Sequence, residues 1–491
     1  MEAESAHACR PPCCNERASR EPALSRSPGT RGIPFAPVRR THRRNWEIGF
    51  VVVAIAVAFA DSSIVVLALP ELYTRFHATI TSVSWVLTAY NVAVAAAALG
   101  LVVLVHRLRA ATLLASGLLV FAAASIACSV ATSLAFLISA RCVQGIAAAL
   151  LLAASLPVLV ARTGSAVRGA TIWTLAGTFG AALGPALGGV LTQAFGWRAI
   201  FVAQAPLALL GLLAVAGART DPALEEGWRP SLAKTVPANA CIGLLFGALV
   251  GVLFLSVLLV ITVWGYSPIA GAGIVSVLPA ATLAARTIER RLPPLAAVYG
   301  GAALLALGLI QLAFLPFASV GFTIGALVVC GAGLGLSIPV LSQAALDLGA
   351  GLSRSGTLTI GVRHLGLVLA LASIAPLLAA DVSPAGHTAE LRATAVLLDG
   401  PIALETKIPV ALDARAEFDR AKAGQIPDLA QPFDAHGAKH DPTLARVRDD
   451  LVAAIKDTIT RAFRSSFLLC AAFGAAALAV AFGFRRRGVA A

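Results

Sequence analysis

The sequence predicts an all-α polytopic membrane protein with about twelve transmembrane helices in two six-helix bundles. Hydrophobic residues make up 58% of the 491 residues and charged residues only 13%, whereas a soluble protein carries about 25% charged residues. Apolar stretches near the roughly 20 residues that a membrane span needs recur along the chain. The basic residues behind the net charge of +13 lie mostly at the ends of these stretches. This placement indicates membrane topology and not nucleic-acid binding.

The predicted spans follow one another from residue 46, and a polar stretch divides them six and six. They are 46–70, 82–105, 111–131, 134–160, 168–194, 197–218, 238–264, 268–286, 294–316, 319–345, 355–380 and 464–484. The predicted segments are a disordered cytoplasmic tail (1–45), an N-terminal six-helix bundle (46–218), a cytoplasmic linker (219–237), the first five helices of a C-terminal bundle (238–380), an extracytoplasmic polar and helical insertion (381–463), and the last transmembrane helix with a basic cytoplasmic end (464–491).

The distribution of arginine and lysine predicts the orientation in the membrane. Several arginines precede the first span, and the connections that follow even-numbered spans are also basic. Positively charged loops stay in the cytoplasm, so we expect a multi-pass protein of the bacterial plasma membrane with both termini inside. A cleavable signal peptide ending near Ala58–Ala60 is an alternative for the first span. The apolar run that continues past Asp61 favours a retained helix.

One amphipathic helix is predicted within the insertion, starting at Asp441. Asp441 can cap this helix, and Pro442 suits its first turn. Apolar residues then recur every three or four positions, at Leu444, Val447, Leu451, Ile455, Ile459 and Phe463. The segment carries no catalytic constellation, so we expect a packing cap on the outer surface. A periplasmic adaptor is a partner that the sequence leaves open.

The cysteines and histidines do not predict a cofactor or metal site. Five of the eight cysteines lie within or beside apolar segments and residues 381–463 have none, which implies no disulfide framework. His7, Cys9, Cys13 and Cys14 could bind a metal, but incidental residues of a tail are the favoured interpretation. The spans show no nucleophile–base pair. We therefore expect neither an enzyme nor a cofactor, and a proton gradient as the energy source.

Charged residues inside the spans are the first candidates for function, because a charge near the membrane centre costs at least about 2.5–3.5 kcal/mol. Asp61 in span 1 and Arg141 in span 4 lie about 13 Å and about 10 Å below the same outer surface. We expect a buried Asp61–Arg141 pair that takes up and releases protons during transport. Gln144, one turn after Arg141, could join its polar network. A purely structural ion pair is the alternative.

Arg363 is a third charge within the spans, in the predicted inner half of span 11 and next to His364. Asp347 is the one candidate acidic partner in the second-half spans. Arg363 could face an anionic substrate group or reach toward the inner surface, and the sequence favours neither. Arg363, His364 and Tyr90 of span 2 are our candidates for the substrate path.

Span 5 contains the glycine-proline segment GAALGPALGG. In a soluble helix each Gly costs about 1 kcal/mol and Pro about 3 kcal/mol. In a membrane, small residues allow close helix packing and neighbouring helices satisfy the freed backbone groups. The segment predicts a helix that packs closely and bends, and its key residues are Gly180, Gly184, Pro185, Gly188 and Gly189.

In sequence order, several segments resemble motifs of the major facilitator superfamily, and within it of the drug/proton antiporters that usually have fourteen spans. The first-span motif D-x-T-I-V-N-V-A-L-P is similar to Asp61–Pro70, although Val66 replaces its Asn. The fourth-span motif R-x-x-Q-G is similar to Arg141–Gly145, and the antiporter motif G-x-x-x-G-P-x-x-G-G matches Gly180–Gly189 at every position. Further resemblances are at Trp85–Tyr90, Gly196–Arg198, Gly265–Pro268 and Arg363–Gly366.

This resemblance implies alternating access and proton-driven export, with the matching Asp61 and Arg141 in proton coupling. Two departures stand out. In the family's gating loop G-x-x-x-D-R-x-G-x-R, Gly100 and Arg109 keep their places, but other residues replace the Asp, the basic residue and the second Gly. The two extra spans that usually follow span 6 are also missing, since 219–237 is too short for them.

Together these observations predict a proton-coupled exporter of small amphipathic organic compounds, such as drugs or metabolites. Its expected partners are a small-molecule substrate, protons and the lipid bilayer. An uptake symporter is one alternative, and the intact span 5 motif is evidence against it. A transport-impaired paralogue with a sensory or structural role is another, favoured by the altered gating loop.

Overall fold

Helices make up the regular structure of the described residues. The computed structural model describes residues 39–215, 232–346, 351–420, 430–438 and 440–486, and no strand occurs among them. The helices are α1 (Arg39–Ile64), α2 (Leu69–Phe76), α3 (Ile80–Leu104), α4 (Ala110–Ser129), α5 (Leu134–Thr163), α6 (Ala166–Phe195), α7 (Arg198–Leu210), α8 (Leu232–Val257), α9 (Pro268–Glu289), α10 (Pro294–Ala313), α11 (Val320–Leu346), α12 (Leu352–Asp399), α13 (Leu404–Arg420), α14 (Ala430–Ala435), α15 (Pro442–Ala462) and α16 (Arg464–Arg486).

Several predictions concern residues outside the described ranges. These are most of the tail 1–45 with its histidine and cysteines, most of the linker 219–237, the last five residues of the chain, and Asp347. Residues 43 to 491 form one unit, and every contact of the candidate site lies within it.

The predicted fold class is confirmed. Eleven helices of the described chain are long and apolar enough to cross a membrane, and a shorter apolar helix spans Arg198–Ala214. These twelve match the twelve predicted positions in order. Where helices are not regular, the departures are local: α1 passes into α2 through a 3-10 turn at Val65–Ala68, and α8 ends in a π-helical turn at Leu258–Val263.

The helix that contains the eleventh span, α12, continues beyond the predicted span end at residue 380 as far as Asp399. Polar residues from Asp381 onward suggested the end of the span, yet a helix can continue beyond an apolar segment when one of its faces is covered. Ala389, Ala393 and Leu397, four residues apart, are buried where α12 packs against α15. Arg392 adds a 3.1 Å hydrogen bond to the Thr458 hydroxyl.

The helix predicted at the end of the insertion is present as α15. The Asp441 carboxylate accepts hydrogen bonds from the backbone N–H groups of Thr443 at 2.8 Å and Leu444 at 3.3 Å. All six predicted apolar positions of this helix are buried. A single residue, Phe463, separates α15 from α16, so the insertion leads directly into the last span.

The N-terminal and C-terminal halves meet along two helix pairs that position the site. α3 packs against α12, and α6 packs against α9. The C-terminal end of α6 is joined to the N-terminal end of α9, where the backbone N–H of Ile269 donates a 2.9 Å hydrogen bond to the Gln193 side chain. These two contacts leave a cavity between the halves.

Candidate functional site

The predicted ion pair between Asp61 of α1 and Arg141 of α5 is present. Arg141 Nη1 lies 2.7 Å from Asp61 Oδ2, and both side chains are 0% exposed. Burial of two charges is costly unless further polar contacts satisfy both groups. The surroundings of Arg141 supply some of them: its Nε donates to the Val86 carbonyl at 3.0 Å, and its guanidinium lies 4.1 Å from the Tyr90 ring centroid. Arg141 Nη2 is buried without a hydrogen-bond partner among the described residues.

A ring of hydrogen bonds joins the two charges through two glutamines. Arg141 donates from Nη1 to Gln144 Oε1 at 2.7 Å, and Gln144 Nε2 donates to Gln204 Oε1 at 2.9 Å. Gln204 Nε2 then donates to Asp61 Oδ1 at 2.9 Å. Every donor in this ring points toward the carboxylate of Asp61. Gln144 therefore lies in the predicted network.

Sequence reasoning missed two members of this network. Gln204 comes from α7, and Ser125 of α4 accepts a 2.8 Å hydrogen bond from Gln144 Nε2. Both are uncharged, and a search for charges within spans does not detect them. The available signal was a polar side chain inside an otherwise apolar span, as in the Ala-Gln-Ala-Pro sequence around Gln204.

A second polar cluster connects this region to the C-terminal half. The His364 Nδ1–H of α12 donates to Asn91 Oδ1 of α3 at 2.7 Å, and the Ser62 hydroxyl donates to the same oxygen at 3.1 Å. Ser62 follows Asp61 directly in α1. The cluster therefore joins the neighbour of the buried carboxylate to a helix of the other half.

A cavity lies between the halves, and its empty space, together with the open solvent at its mouth, is about 1040 Å³. Its wall is mostly apolar and includes residues of α1, α6, α8, α9, α11 and α12. Ser62 and Ser63, the two residues that follow Asp61 in α1, also line it.

The three predicted substrate-path residues separate into two groups. Arg363 lines the cavity, whereas Tyr90 and His364 are not part of its wall. Tyr90 is fully buried, donates from its hydroxyl to the Ala58 carbonyl at 3.1 Å, and covers Arg141. His364 is buried against Tyr90 and Asn91. Their place in the substrate path stays a prediction, and in this structure the Tyr90 hydroxyl and His364 Nδ1 bond buried neighbours.

The glycine-proline segment lies in α6, where it allows close approach on two sides. A Cβ at Gly180 would lie 2.2 Å from the Ala56 carbonyl oxygen, and one at Gly188 2.6 Å from that of Ile64. Gly184 leaves similar room for the Ser63 hydroxyl. Gly189 faces the other way, where a Cβ would lie 2.2 Å from the Ala272 methyl of α9. Pro185 is buried within the continuous helix.

The remnant of the gating loop makes few contacts. Gly100 and Arg109 are both exposed, and nothing lies within 4 Å of a Cβ placed on Gly100. Within the described ranges, Arg109 forms no ion pair. The 3-10 turn Val105–Arg107 of the same loop packs against α12 of the C-terminal half.

Comparison with known proteins assigns the family. The model of the Major Facilitator Superfamily matches residues 51–380. The methylenomycin A resistance protein of Streptomyces coelicolor is 31% identical over 190 residues, 37% of this chain and 40% of that protein. The drug efflux pump JefA of Mycobacterium tuberculosis is 32% identical over 167 residues, 33% of each protein. The chain thus spans less than half the length of the curated relatives it matches.

The fold also resembles a solved transporter. A bacterial homologue of the human lysosomal transporter Spinster, in an inward-facing and unoccupied conformation, matches with a TM-score of 0.59 over 91% of this chain and 98% of that chain. At 15% identity this likeness concerns the fold alone. A sequence match across most of the spans and the shared helical architecture lead to one conclusion: the chain is a membrane transporter of the Major Facilitator Superfamily.

Proposed function

We propose that the protein exports small amphipathic organic compounds in exchange for protons, by alternating access between two rocking bundles. The observation that carries this proposal is the fully buried Asp61–Arg141 pair, whose Asp61 immediately precedes two serines that line the cavity. A buried ionisable group in a membrane protein is a functional candidate by default. Its position beside the cavity allows its protonation to be linked to what the cavity holds.

In the proposed cycle, Asp61 is the proton carrier. A proton on Asp61 removes the charge that faces Arg141 and leaves a neutral carboxyl group as a weaker acceptor for Gln204, so the ring of hydrogen bonds loosens. Since the ring joins α1 to α5 and α7, its loosening frees α1 to move. One charge that crosses the membrane contributes about 2.3 kcal/mol per 100 mV, which is enough for roughly a fiftyfold gradient of a neutral solute.

The direction of transport rests on similarity. The matched relatives are a resistance protein and a drug efflux pump, and the glycine-proline motif, associated with exporters, is intact in α6. We place the protein in the plasma membrane with both termini in the cytoplasm, as the basic connections predict. A periplasmic adaptor protein stays a predicted partner.

The test is proton flux in reconstituted vesicles that contain a pH-sensitive dye and carry an imposed pH gradient. A panel of anionic, neutral and cationic amphipathic dyes is added in turn. Antiport dissipates the gradient when a substrate moves against the protons, and Asp61→Asn should abolish this flux. Asp450→Asn, an exposed carboxylate of α15, is the matched control and should retain it.

Two other outcomes would support the alternatives. Proton flux in the same direction as the dye would identify a symporter. Absence of flux for every dye, with the protein correctly folded, would favour a transport-impaired paralogue. The altered gating loop, in which Arg109 is exposed, is the observation that keeps this last candidate open.

A further inference from the structure

We propose that the cavity selects amphipathic organic anions, and that Arg363 binds their acidic group. This inference rests on the proposed export function and names the substrate class of the same cavity. Arg363 is the one charged residue among the described residues that line the cavity. An otherwise apolar chamber with one fixed cation is complementary to a molecule with an apolar body and a single negative group.

The contacts of Arg363 leave its charge without a counterion in the described part of the chain. Its guanidinium carbon lies 4.2 Å from the Phe59 ring centroid of α1 and 3.9 Å from that of Phe246 of α8. Its Nε is buried without a hydrogen-bond partner. The guanidinium therefore has aromatic neighbours on two sides and no carboxylate. Its N–H donors remain for an oxyanion, which Arg binds in a bidentate manner.

The contrast with Arg141 supports a role in binding rather than in structure. Arg141 is fully buried and has a carboxylate, a carbonyl and an amide as partners, whereas Arg363 is half-buried at the cavity wall. Arg363 has none of these among the described residues. A guanidinium kept in the membrane without such partners is costly, and a bound anion would relieve that cost.

The wall around Arg363 indicates that the apolar body is aromatic or similarly flat. Phe59 packs edge-on against Trp173 of α6 with ring centroids 5.4 Å apart. Gly177 leaves room for this ring, because a Cβ there would lie 2.8 Å from Phe59. Phe59, Trp173 and Phe246 thus form an aromatic surface beside the cation. The same charge disfavours lipophilic cations.

The test compares two dyes that share a skeleton and differ in charge. 8-Anilinonaphthalene-1-sulfonate is an anion, and N-phenyl-1-naphthylamine lacks the sulfonate. Their binding to purified protein in lipid nanodiscs is measured against empty nanodiscs. Arg363→Gln should weaken sulfonate binding by at least about tenfold, the low end for a charged hydrogen bond. It should change binding of the neutral dye by less than about twofold.

Controls separate charge from shape and folding. Arg363→Lys keeps the cation and should recover most of the sulfonate affinity, while unchanged binding of the neutral dye reports an intact cavity. Thr359→Val alters another residue of the wall and should leave the preference between the dyes unchanged. Equal loss of both dyes in Arg363→Gln, or no loss of either, would overturn the proposal.

Transport distinguishes this inference from the proposed function. If the wild-type protein exchanges protons for neutral or cationic dyes but not for the sulfonate, export stands and the anion inference is wrong. If the sulfonate binds through Arg363 and no dye drives proton flux, the site stands and proton-coupled export is wrong.

Discussion

His364 and Asn91 form a direct hydrogen bond between the two halves of the transporter. The Nδ1 of His364 and the Oδ1 of Asn91 are 2.7 Å apart, and both side chains are buried. In alternating access the halves rotate against each other, so a polar contact between them must open in one of the states. This bond and the α3–α12 packing around it therefore belong to one end of the proposed cycle.

A covalent link at this point should stop transport. In a background without the eight native cysteines, Asn91→Cys/His364→Cys joined by a short bifunctional maleimide should abolish dye-driven proton flux. Tyr299→Cys/Phe482→Cys links α10 to α16 inside the C-terminal half, where the rings stack at 4.8 Å, and should leave flux intact. Full transport by the linked Asn91/His364 protein would mean that the halves do not separate there.

Removing one member of the buried ion pair should be more harmful to stability than removing both. Asp61→Asn leaves Arg141 buried without its counterion, and we expect a loss of about 3–5 kcal/mol. The double variant Asp61→Asn/Arg141→Gln should recover most of this loss but remain uncoupled from protons. Thermal unfolding in detergent measures the stabilities, with Asp450→Asn as the control. A stable Asp61→Asn single variant would show that the pair does not hold the fold.

The close approach of α6 to α1 predicts a strong effect of a single methyl group. Gly180→Ala places a Cβ 2.2 Å from a backbone carbonyl, which cannot rotate away. We expect a loss of about 1–3 kcal/mol from overpacking. Gly273→Ala in α9 has nothing within 4 Å of the new Cβ and should change the thermal midpoint little. Similar midpoints for the two variants would mean that α6 shifts freely.

The cap of α15 can be tested without touching the site. Asp441→Ala removes the acceptor for two backbone N–H groups and should cost about 1 kcal/mol. The loss should appear as faster hydrogen exchange in the first turn of α15, with unchanged dye binding in the cavity. Asp450→Ala on the exposed face of the same helix is the control. Equal exchange in both variants would argue against the cap.

The sequence was informative where charge and periodicity stand out. Asp61 and Arg141 are conspicuous within apolar segments, and the rise per residue of a helix places them at one depth, so their contact could be predicted. The apolar repeat of α15 was equally visible. In each case a single physical rule connects the residue type to its position.

Uncharged polar residues were harder to place. Gln204 bonds Asp61 in the first polar cluster, and Asn91 bonds His364 in the second. The sequence shows that each amide lies within an apolar span, but the direction of the amide depends on packing. Tyr90 shows the same difficulty. The sequence gives its position along α3, but it does not give the direction in which its side chain points. The continuation of α12 beyond residue 380 depends on burial against α15, a contact between segments far apart in sequence.

The glycines of α6 have a mechanical consequence. Gly188 and Gly189 are consecutive but face different halves. Gly188 faces the Ile64 carbonyl of α1, and Gly189 faces Ala272 of α9. At both contacts α6 has no side chain that could change rotamer. A displacement of α9 in the proposed cycle would therefore move α6 and, through it, α1. Ile64 lies three residues after Asp61. The diameter of α6 and one turn of α1 therefore separate α9 of the C-terminal half from Asp61, the proposed proton carrier.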